Sequence, residues 1–187
     1  MKKFVGFLAA FVAVTGFAHA EIQVKSITYM EGETTLQGWV AFDDAQQGQR
    51  PGVLVIHQWK GITQHEKDVI RDLAEMGYVG MAADIYGEGV RPETTEEASQ
   101  QSSKYKGDID LYRARLNAGL ETLKGHEMVD ATQTAAIGYC FGGTGALELA
   151  RSGADVDAVV SFHGGLDTPR PEDAKNIRAA VLVAHGA

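Results

Sequence analysis

The sequence predicts an α/β domain in which a mostly parallel sheet carries helices on both faces. Two observations support this fold class. Short continuous apolar runs, such as "GVLVI" at residues 52–56, are typical of strands that are buried on both faces of a parallel sheet. Segments with helical spacing of apolar residues alternate with these runs, which is the order expected of β–α–β units joined by right-handed crossovers.

The first half of the domain begins with two strands, "IQVKSITYM" and "TLQGWVAF", which are separated by the turn-like "EGET". After the strand at residues 52–56, Thr63 and Glu66 form a capping box that predicts the start of a helix. Gly77 ends this helix, and "YVGMAAD" is the next strand. The apolar positions of the helix recur at helical spacing: Val69, Ile70, Leu73 and Met76.

The second half continues the alternation. A helix over residues 108–124 ends at Gly125, "TAAIGY" is strand-like, "GGTGALELARSG" is helix-like and "VDAVVSF" is strand-like. "DAKNIR" predicts one or two helical turns, and "AAVLVAH" predicts a last strand. A buried strand needs a helix over its face. We therefore expect one domain at residues 21–187, with no linker or repeat, whose C-terminal part is missing.

Residues 1–20 have the three parts of a secretory signal peptide. "MKK" is a basic start, residues 4–18 are almost wholly apolar, and "AHA" is a cleavage site before Glu21. The apolar run is short for a membrane anchor, which needs about 20 residues. We expect the segment to be removed and the mature protein to be periplasmic or secreted.

Charge and composition exclude several classes of function. The net charge is −8, and the basic residues are scattered, so neither nucleic acid nor an anionic membrane is an expected partner of the mature chain. A single cysteine allows no intramolecular disulfide. No pair of histidines has the i, i+4 spacing of a helical zinc site, and the glycines fit neither a phosphate-binding loop nor a dinucleotide-binding motif. We expect no metal and no cofactor.

Polar side chains directly follow the predicted parallel strands. Functional groups gather at the carboxyl ends of such strands, so we expect these residues along one edge of the sheet. They are His57, Gln58, Asp84, Cys140, His163 and His185.

Cys140 lies between Gly138 and Gly142, where a strand gives way to a helix. A sharp turn there strains the residue at its apex and leaves its neighbours no room for a Cβ. The amides and dipole at the start of the helix favour an anion, and hence a thiolate, and the amide of Phe141 is placed to bind an oxyanion. The pattern is that of a nucleophile elbow with cysteine in place of serine. A purely structural glycine-rich turn remains the alternative.

Four segments together resemble the dienelactone hydrolase family of α/β-hydrolases: "VLVIHQWKGIT", "LAEMGYVGMAADIYGEG", "IGYCFGG" and "VLVAHGA". The resemblance implies the α/β-hydrolase fold and a Cys–His–Asp triad that cleaves small ester or lactone substrates through a thiol ester. By position, Cys140 is the catalytic nucleophile, and the backbone amides of Trp59 and Phe141 form the oxyanion hole. The triad aspartate and histidine would lie beyond Ala187, so they are not present in this chain.

The chain departs from the family at two pocket positions. Gln58 stands where the family's namesake enzyme has a glutamate near the thiol, and Glu88 aligns with an arginine that grips the substrate carboxylate. Arg91 is close enough in sequence to replace that arginine. His57 and His163 are further pocket candidates, and the alternative for each is a residue at the mouth of the pocket or a hydrogen bond within its loop.

Other interpretations of function remain open. A cysteine amidohydrolase resembling glutaminases also places cysteine in an elbow of this kind. Because the triad acid and base are missing, a non-catalytic fragment or a binding protein is the other alternative. Asp84 is expected to hold its loop, and Asp167 is not expected to be the triad acid because it follows an earlier strand.

Overall fold

The structure, a computed structural model that describes residues 21–186, is built on a mixed seven-stranded sheet. The strands are Ile22–Glu31 (β1), Thr34–Asp43 (β2), Arg50–Ile56 (β3), Val79–Ala83 (β4), Val129–Tyr139 (β5), Ala158–Phe162 (β6) and Ala180–Ala184 (β7). The helices are Gln64–Glu75 (α1), Thr95–Gly107 (α2), Ile109–Lys124 (α3) and Phe141–Arg151 (α4), with a 3₁₀ helix at Pro171–Asn176. The predicted signal peptide lies outside the described residues.

The strand order is β1-β2-β4-β3-β5-β6-β7. β2 runs antiparallel to β1 and to β4, whereas β4, β3, β5, β6 and β7 are parallel to one another. This confirms the predicted mostly parallel sheet. The chain proceeds from β3 to β4 on one side and to β5 on the other, so the order reverses at β3. The carboxyl ends of β3 and β5 therefore flank a topological switch point, where α/β sheets bind ligands.

Alternation along β3 divides the core into two layers. Val55 packs with Ile70 and Ala74 of α1, whereas Leu54 and Ile56 belong to the larger cluster that α3 and α4 complete. The helices thus cover both faces of the sheet, as predicted. No helix within residues 21–186 has the length and apolarity that crossing a membrane requires.

The predicted capping box of α1 is confirmed. The Thr63 hydroxyl accepts a hydrogen bond from the backbone of His65 at 3.2 Å, and the Glu66 carboxylate accepts one from the Thr63 amide at 2.7 Å. Gly77 ends the helix as predicted, since it has φ 92° directly after the C-cap residue Met76. Met76 itself is 65% exposed, so its predicted place on the apolar face is wrong. The apolar face of α1 therefore stops at its last full turn.

Two elements differ more clearly from the sequence prediction. α2 was not predicted, because it buries only Ala98, Ser102 and Tyr105 and is otherwise polar. β5 begins at Val129, five residues before the predicted strand at residues 134–139, and its first part is mostly exposed and polar. Neither segment has an apolar period from which a helix or strand could be predicted.

β7 is the outermost strand of the described sheet, and it is exposed along its whole length. Val181, Leu182 and Val183 are 43%, 60% and 40% exposed. Within residues 21–186, β7 thus lacks the covering helix that a buried strand of such a sheet needs. The reason is that β7 pairs only with β6, while α4 packs against β5 and β6.

Candidate active site

Cys140 forms a sharp turn between the end of β5 and the start of α4. Its backbone has φ 54° and ψ −113°, a conformation that side-chain-bearing residues rarely adopt. The turn is held at both ends, because the Cys140 amide donates to the carbonyl of Phe162 at 2.9 Å and its carbonyl accepts from Thr144 at 3.1 Å. Cys140 forms no disulfide, and the residue is half-buried.

The two flanking glycines are required by close backbone packing. A Cβ at Gly138 would overlap the carbonyl group of Gly142 in the first turn of α4. A Cβ at Gly142 would in turn overlap the carbonyl oxygen of Ile56 at the end of β3. Only glycine at both positions lets β5, α4 and the end of β3 approach closely enough to raise Cys140 above the sheet.

The amides of Trp59 and Phe141 are unpaired within residues 21–186, where neither donates a recorded hydrogen bond. Phe141 is the first residue of α4, so its amide is one of the free donors of a helix start. Trp59 lies in the loop after β3, and the beginning of that loop contacts Gly142. An unpaired amide at the elbow and another in the loop after β3 are the kind of backbone donors that stabilise an oxyanion.

His57 is fully buried and makes two hydrogen bonds inside the protein. Its Nδ1 lies 2.6 Å from the carbonyl oxygen of Gln58, and its Nε2 lies 3.3 Å from the amide of Ile85. Because the Ile85 amide can only donate, Nε2 accepts and the proton is on Nδ1. Burial lowers the pKa of His57, which favours this neutral form. His57 is therefore closed off from solvent and makes the hydrogen bond within its loop that the alternative interpretation expects.

Two buried tyrosines that the sequence analysis missed hold the carbonyls of the oxyanion candidates. The Tyr86 hydroxyl donates to the Trp59 carbonyl, and the Tyr112 hydroxyl donates to the Phe141 carbonyl, each at 2.8 Å. The Tyr112 and Phe141 rings stack with their centroids 4.7 Å apart. Burial raises the pKa of both tyrosines, so each hydroxyl keeps its proton and remains a donor. Pairs this distant in sequence carry no local signal.

Asp84 organises the loop after β4, as expected. Its buried carboxylate accepts hydrogen bonds from the amides of Gln37, Tyr86 and Gly87 at 3.0, 3.1 and 3.2 Å. These bonds place Tyr86 below the Trp59 loop. Asp84 is therefore a buried acceptor that orders this loop, which is a structural role.

Arg91 hydrogen-bonds mainly to the backbone of its own loop. Its guanidinium donates to the carbonyl of Val90 at 2.7 Å and, more weakly, to those of Gly87 and Gln37, and it lies 3.6 Å from Asp84. Three of its five N–H donors are thus engaged by backbone carbonyls, and a role in binding a substrate carboxylate stays a prediction. Glu88 is exposed, and its backbone is held by the carbonyl of Thr35.

Gln58 is half-buried, and its side-chain amide makes no hydrogen bond with residues 21–186. Its backbone amide donates to the fully buried carboxylate of Glu66 at 3.3 Å. The carboxamide is therefore available to a ligand, whereas its backbone is fixed to the start of α1.

The remaining histidine candidates lie on the surface. His163 follows β6, is exposed and has φ 42°, and its amide donates to Ala184 at 2.8 Å. His185 is exposed beyond β7, and Asp167 is exposed in the loop after β6. No side chain within residues 21–186 hydrogen-bonds to the Cys140 sulfur, and no three metal-ligating side chains in this range lie together. The described part of the site thus consists of a thiol and two free amides.

The profile of the Dienelactone hydrolase family matches residues 36–187. The chain belongs to the dienelactone hydrolase family. Among curated relatives of this family member, a Bradyrhizobium protein named "Probable 2-oxo-3-(5-oxofuran-2-ylidene)propanoate lactonase" is 31% identical and is matched over 73% of this chain and 55% of its own length. The carboxymethylenebutenolidase of a Pseudomonas strain is 28% identical over 75% of this chain and 60% of its own length. The family member spans little more than half the length of the curated relatives it matches.

Solved structures agree with this assignment. A dienelactone hydrolase-like promiscuous phosphotriesterase from metagenomic libraries is 38% identical, with a TM-score of 0.85 over 90% of this chain and 70% of that one. The dienelactone hydrolase of Anabaena variabilis, at 22% identity and a TM-score of 0.63 over 87% of this chain and 72% of that one, shares the fold. The family and the α/β-hydrolase fold are thereby shown.

Proposed function

We propose that the protein hydrolyses small esters or lactones with Cys140 as its nucleophile. The observation that carries the proposal is the turn at Cys140, which holds a half-buried cysteine at φ 54° at the start of α4, where the amide of Phe141 is unpaired within residues 21–186. A buried structural cysteine needs neither the strained backbone nor free amides at its side. The curated relatives named as a lactonase and a carboxymethylenebutenolidase support the substrate class.

In the proposed reaction, the Cys140 thiolate attacks the acyl carbon and the carbonyl electrons move onto oxygen. The amides of Trp59 and Phe141 donate hydrogen bonds to that oxyanion, which is typically worth about 3 kcal/mol of barrier for each donor. Collapse of the intermediate breaks the acyl–oxygen bond, expels the alcohol oxygen, which takes up a proton, and leaves a thiol ester. Water then hydrolyses the thiol ester. We assign the general base and acid of the whole protein to groups outside residues 21–186.

We also propose that residues 1–20 direct the protein out of the cytoplasm and are then removed. The support is the basic start, the apolar run and the "AHA" site. The intact mass of the protein recovered from a periplasmic extract tests this, and a mass that still includes residues 1–20 contradicts it.

Covalent acylation of Cys140 tests the nucleophile without requiring the base. The protein is mixed with p-nitrophenyl acetate at a pH at which thiols ionise, and nitrophenolate release is followed together with intact mass. We expect one acetyl group on the wild-type chain and none on Cys140→Ala, with the same circular dichroism spectrum for both.

Three results would contradict the proposal. Equal nitrophenolate release from wild type and Cys140→Ala removes the thiol from the mechanism. Release of ammonia from glutamine without any acylation by the ester supports the amidohydrolase instead. Binding of the ester without acylation at any pH supports the non-catalytic alternative.

A further inference from the structure

We propose that His57 and Tyr86 are positioning residues that hold the Trp59 amide in the orientation an oxyanion donor needs. This role rests on the proposed hydrolase function and adds to it a device by which the oxyanion hole is formed before substrate arrives. The observation that carries it is that side-chain hydrogen bonds hold the peptide groups on both sides of Trp59.

The first of these peptide groups contains the carbonyl of Gln58 and the amide of Trp59. Because a trans peptide is planar, its C=O and N–H point in opposite directions, and fixing one fixes the other. The Gln58 carbonyl accepts from His57 Nδ1 at 2.6 Å and from the amide of Gly61 at 3.1 Å. The Trp59 amide is therefore turned away from His57. Rotation of this peptide would have to break the His57 bond.

The second peptide group contains the carbonyl of Trp59, which accepts from the Tyr86 hydroxyl at 2.8 Å. With both of its flanking peptides held, Trp59 has little freedom in φ and ψ. Tyr86 is itself placed by the bond from its amide to the Asp84 carboxylate. The position of the Trp59 amide thus depends on two buried side chains from two different strand-end loops.

The two positioning side chains also contact each other and the second donor. The His57 and Tyr86 rings meet edge to face at 4.7 Å, and the Phe141 ring lies 5.8 Å from His57 and 5.6 Å from Tyr86. His57 has no alternative orientation that preserves both of its bonds, since Nε2 accepts from Ile85. The two side chains that position the Trp59 amide therefore pack in one aromatic cluster with Phe141, the residue that supplies the second amide.

Two substitutions at His57 separate positioning from packing. The Nδ2 of asparagine and the Nδ1 of histidine stand the same number of bonds from Cβ, so His57→Asn retains a donor for the Gln58 carbonyl. The terminal oxygen and nitrogen of glutamine stand as many bonds from Cβ as Nε2 of histidine does. His57→Gln therefore retains an acceptor for the Ile85 amide but no donor for the Gln58 carbonyl. Tyr86→Phe removes the second hydrogen bond independently. Tyr105→Phe is the control, because its hydroxyl lies in the same cluster but bonds to the Tyr86 carbonyl at 3.2 Å and not to Trp59.

For each variant, acylation by p-nitrophenyl acetate is compared with alkylation by iodoacetamide. Both reactions use the Cys140 thiolate, but only acylation forms an oxyanion, so the ratio of the two rates isolates the oxyanion hole from thiol exposure and ionisation. We expect the ratio to fall by about 10²-fold in His57→Gln and in Tyr86→Phe, the loss typical of one oxyanion donor. The ratio stays near the wild-type value in His57→Asn and Tyr105→Phe.

The proposal is overturned if His57→Asn and His57→Gln lower the ratio equally, or if Tyr86→Phe leaves it unchanged. A failure of the proposed function has a different signature, since the wild-type chain is then alkylated but not acylated at Cys140. If either His57 variant fails to fold, as judged by circular dichroism, Tyr86→Phe with its Tyr105→Phe control decides the outcome alone.

Discussion

Glu148→Gln is predicted to destabilise the protein by about 3 kcal/mol, because it breaks a buried ion network that joins α4 to α3. The Glu148 side chain is 1% exposed, and its Oε2 accepts from Nε and Nη2 of Arg113 at 3.0 and 2.7 Å. Its Oε1 accepts from Arg151 at 2.8 Å. In the glutamine variant, an amide N–H₂ faces one arginine, and the charge is lost.

The size of this loss in stability depends on the acceptors and the solvent exposure that each arginine retains in the variant. Removing one partner of a buried pair costs about 3–5 kcal/mol. Arg113 retains Asp173 at 2.6 Å, and the Arg113 and Arg151 side chains are 11% and 14% exposed, so the lower end of that range applies. Since domains of this kind are stable by about 5–15 kcal/mol, the loss is large enough to measure.

Urea unfolding at pH 7, followed by far-ultraviolet circular dichroism, measures this change. Asp110→Asn is the control, because it breaks the exposed Arg170–Asp110 pair and is expected to leave the midpoint unchanged. A Glu148→Gln variant within about 1 kcal/mol of wild type would refute the reasoning, since it would show that the network is not desolvated as the structure indicates.

Two further predictions concern the residues around the elbow. Burial lowers the pKa of His57, so below about pH 6.5 the unfolded chain binds a proton that the folded chain does not, and stability falls as the pH is lowered. Urea midpoints between pH 8 and pH 5 should show a shallower fall in His57→Asn, and an identical slope in both proteins would count against the prediction. Gly142→Ala should lower the free energy of unfolding by about 3 kcal/mol or more, because its Cβ meets the backbone of Ile56, whereas Gly107→Ala, which has open space around it, should be neutral. Similar midpoints for the two alanine variants would show that the elbow tolerates a wider approach.

The sequence predicts the position of Cys140 because the requirement there is local. Glycine on both sides of one residue at a strand-to-helix junction is visible in the letters themselves, and so is the capping box of α1. The polar helix α2 was missed because tertiary contacts of Tyr105, and not an apolar period, hold it in place. Likewise, the hydrogen bond from Tyr112 to Phe141 joins residues 29 positions apart, and no pattern in one sequence specifies such a partner.

The exposed strand β7 has a consequence for how the sheet opens. An edge strand with few buried apolar contacts frays at a low free-energy cost, so its amides should exchange with solvent deuterium early, and those of the central strands β3 and β5 last. Because the amide of His163 is tied to Ala184, this fraying releases the left-handed backbone at His163 as well. The loop after β6 is then as mobile as the edge strand β7. The turn at Cys140 follows β5, two strands further into the sheet, so it remains in the slowest-opening part of the molecule.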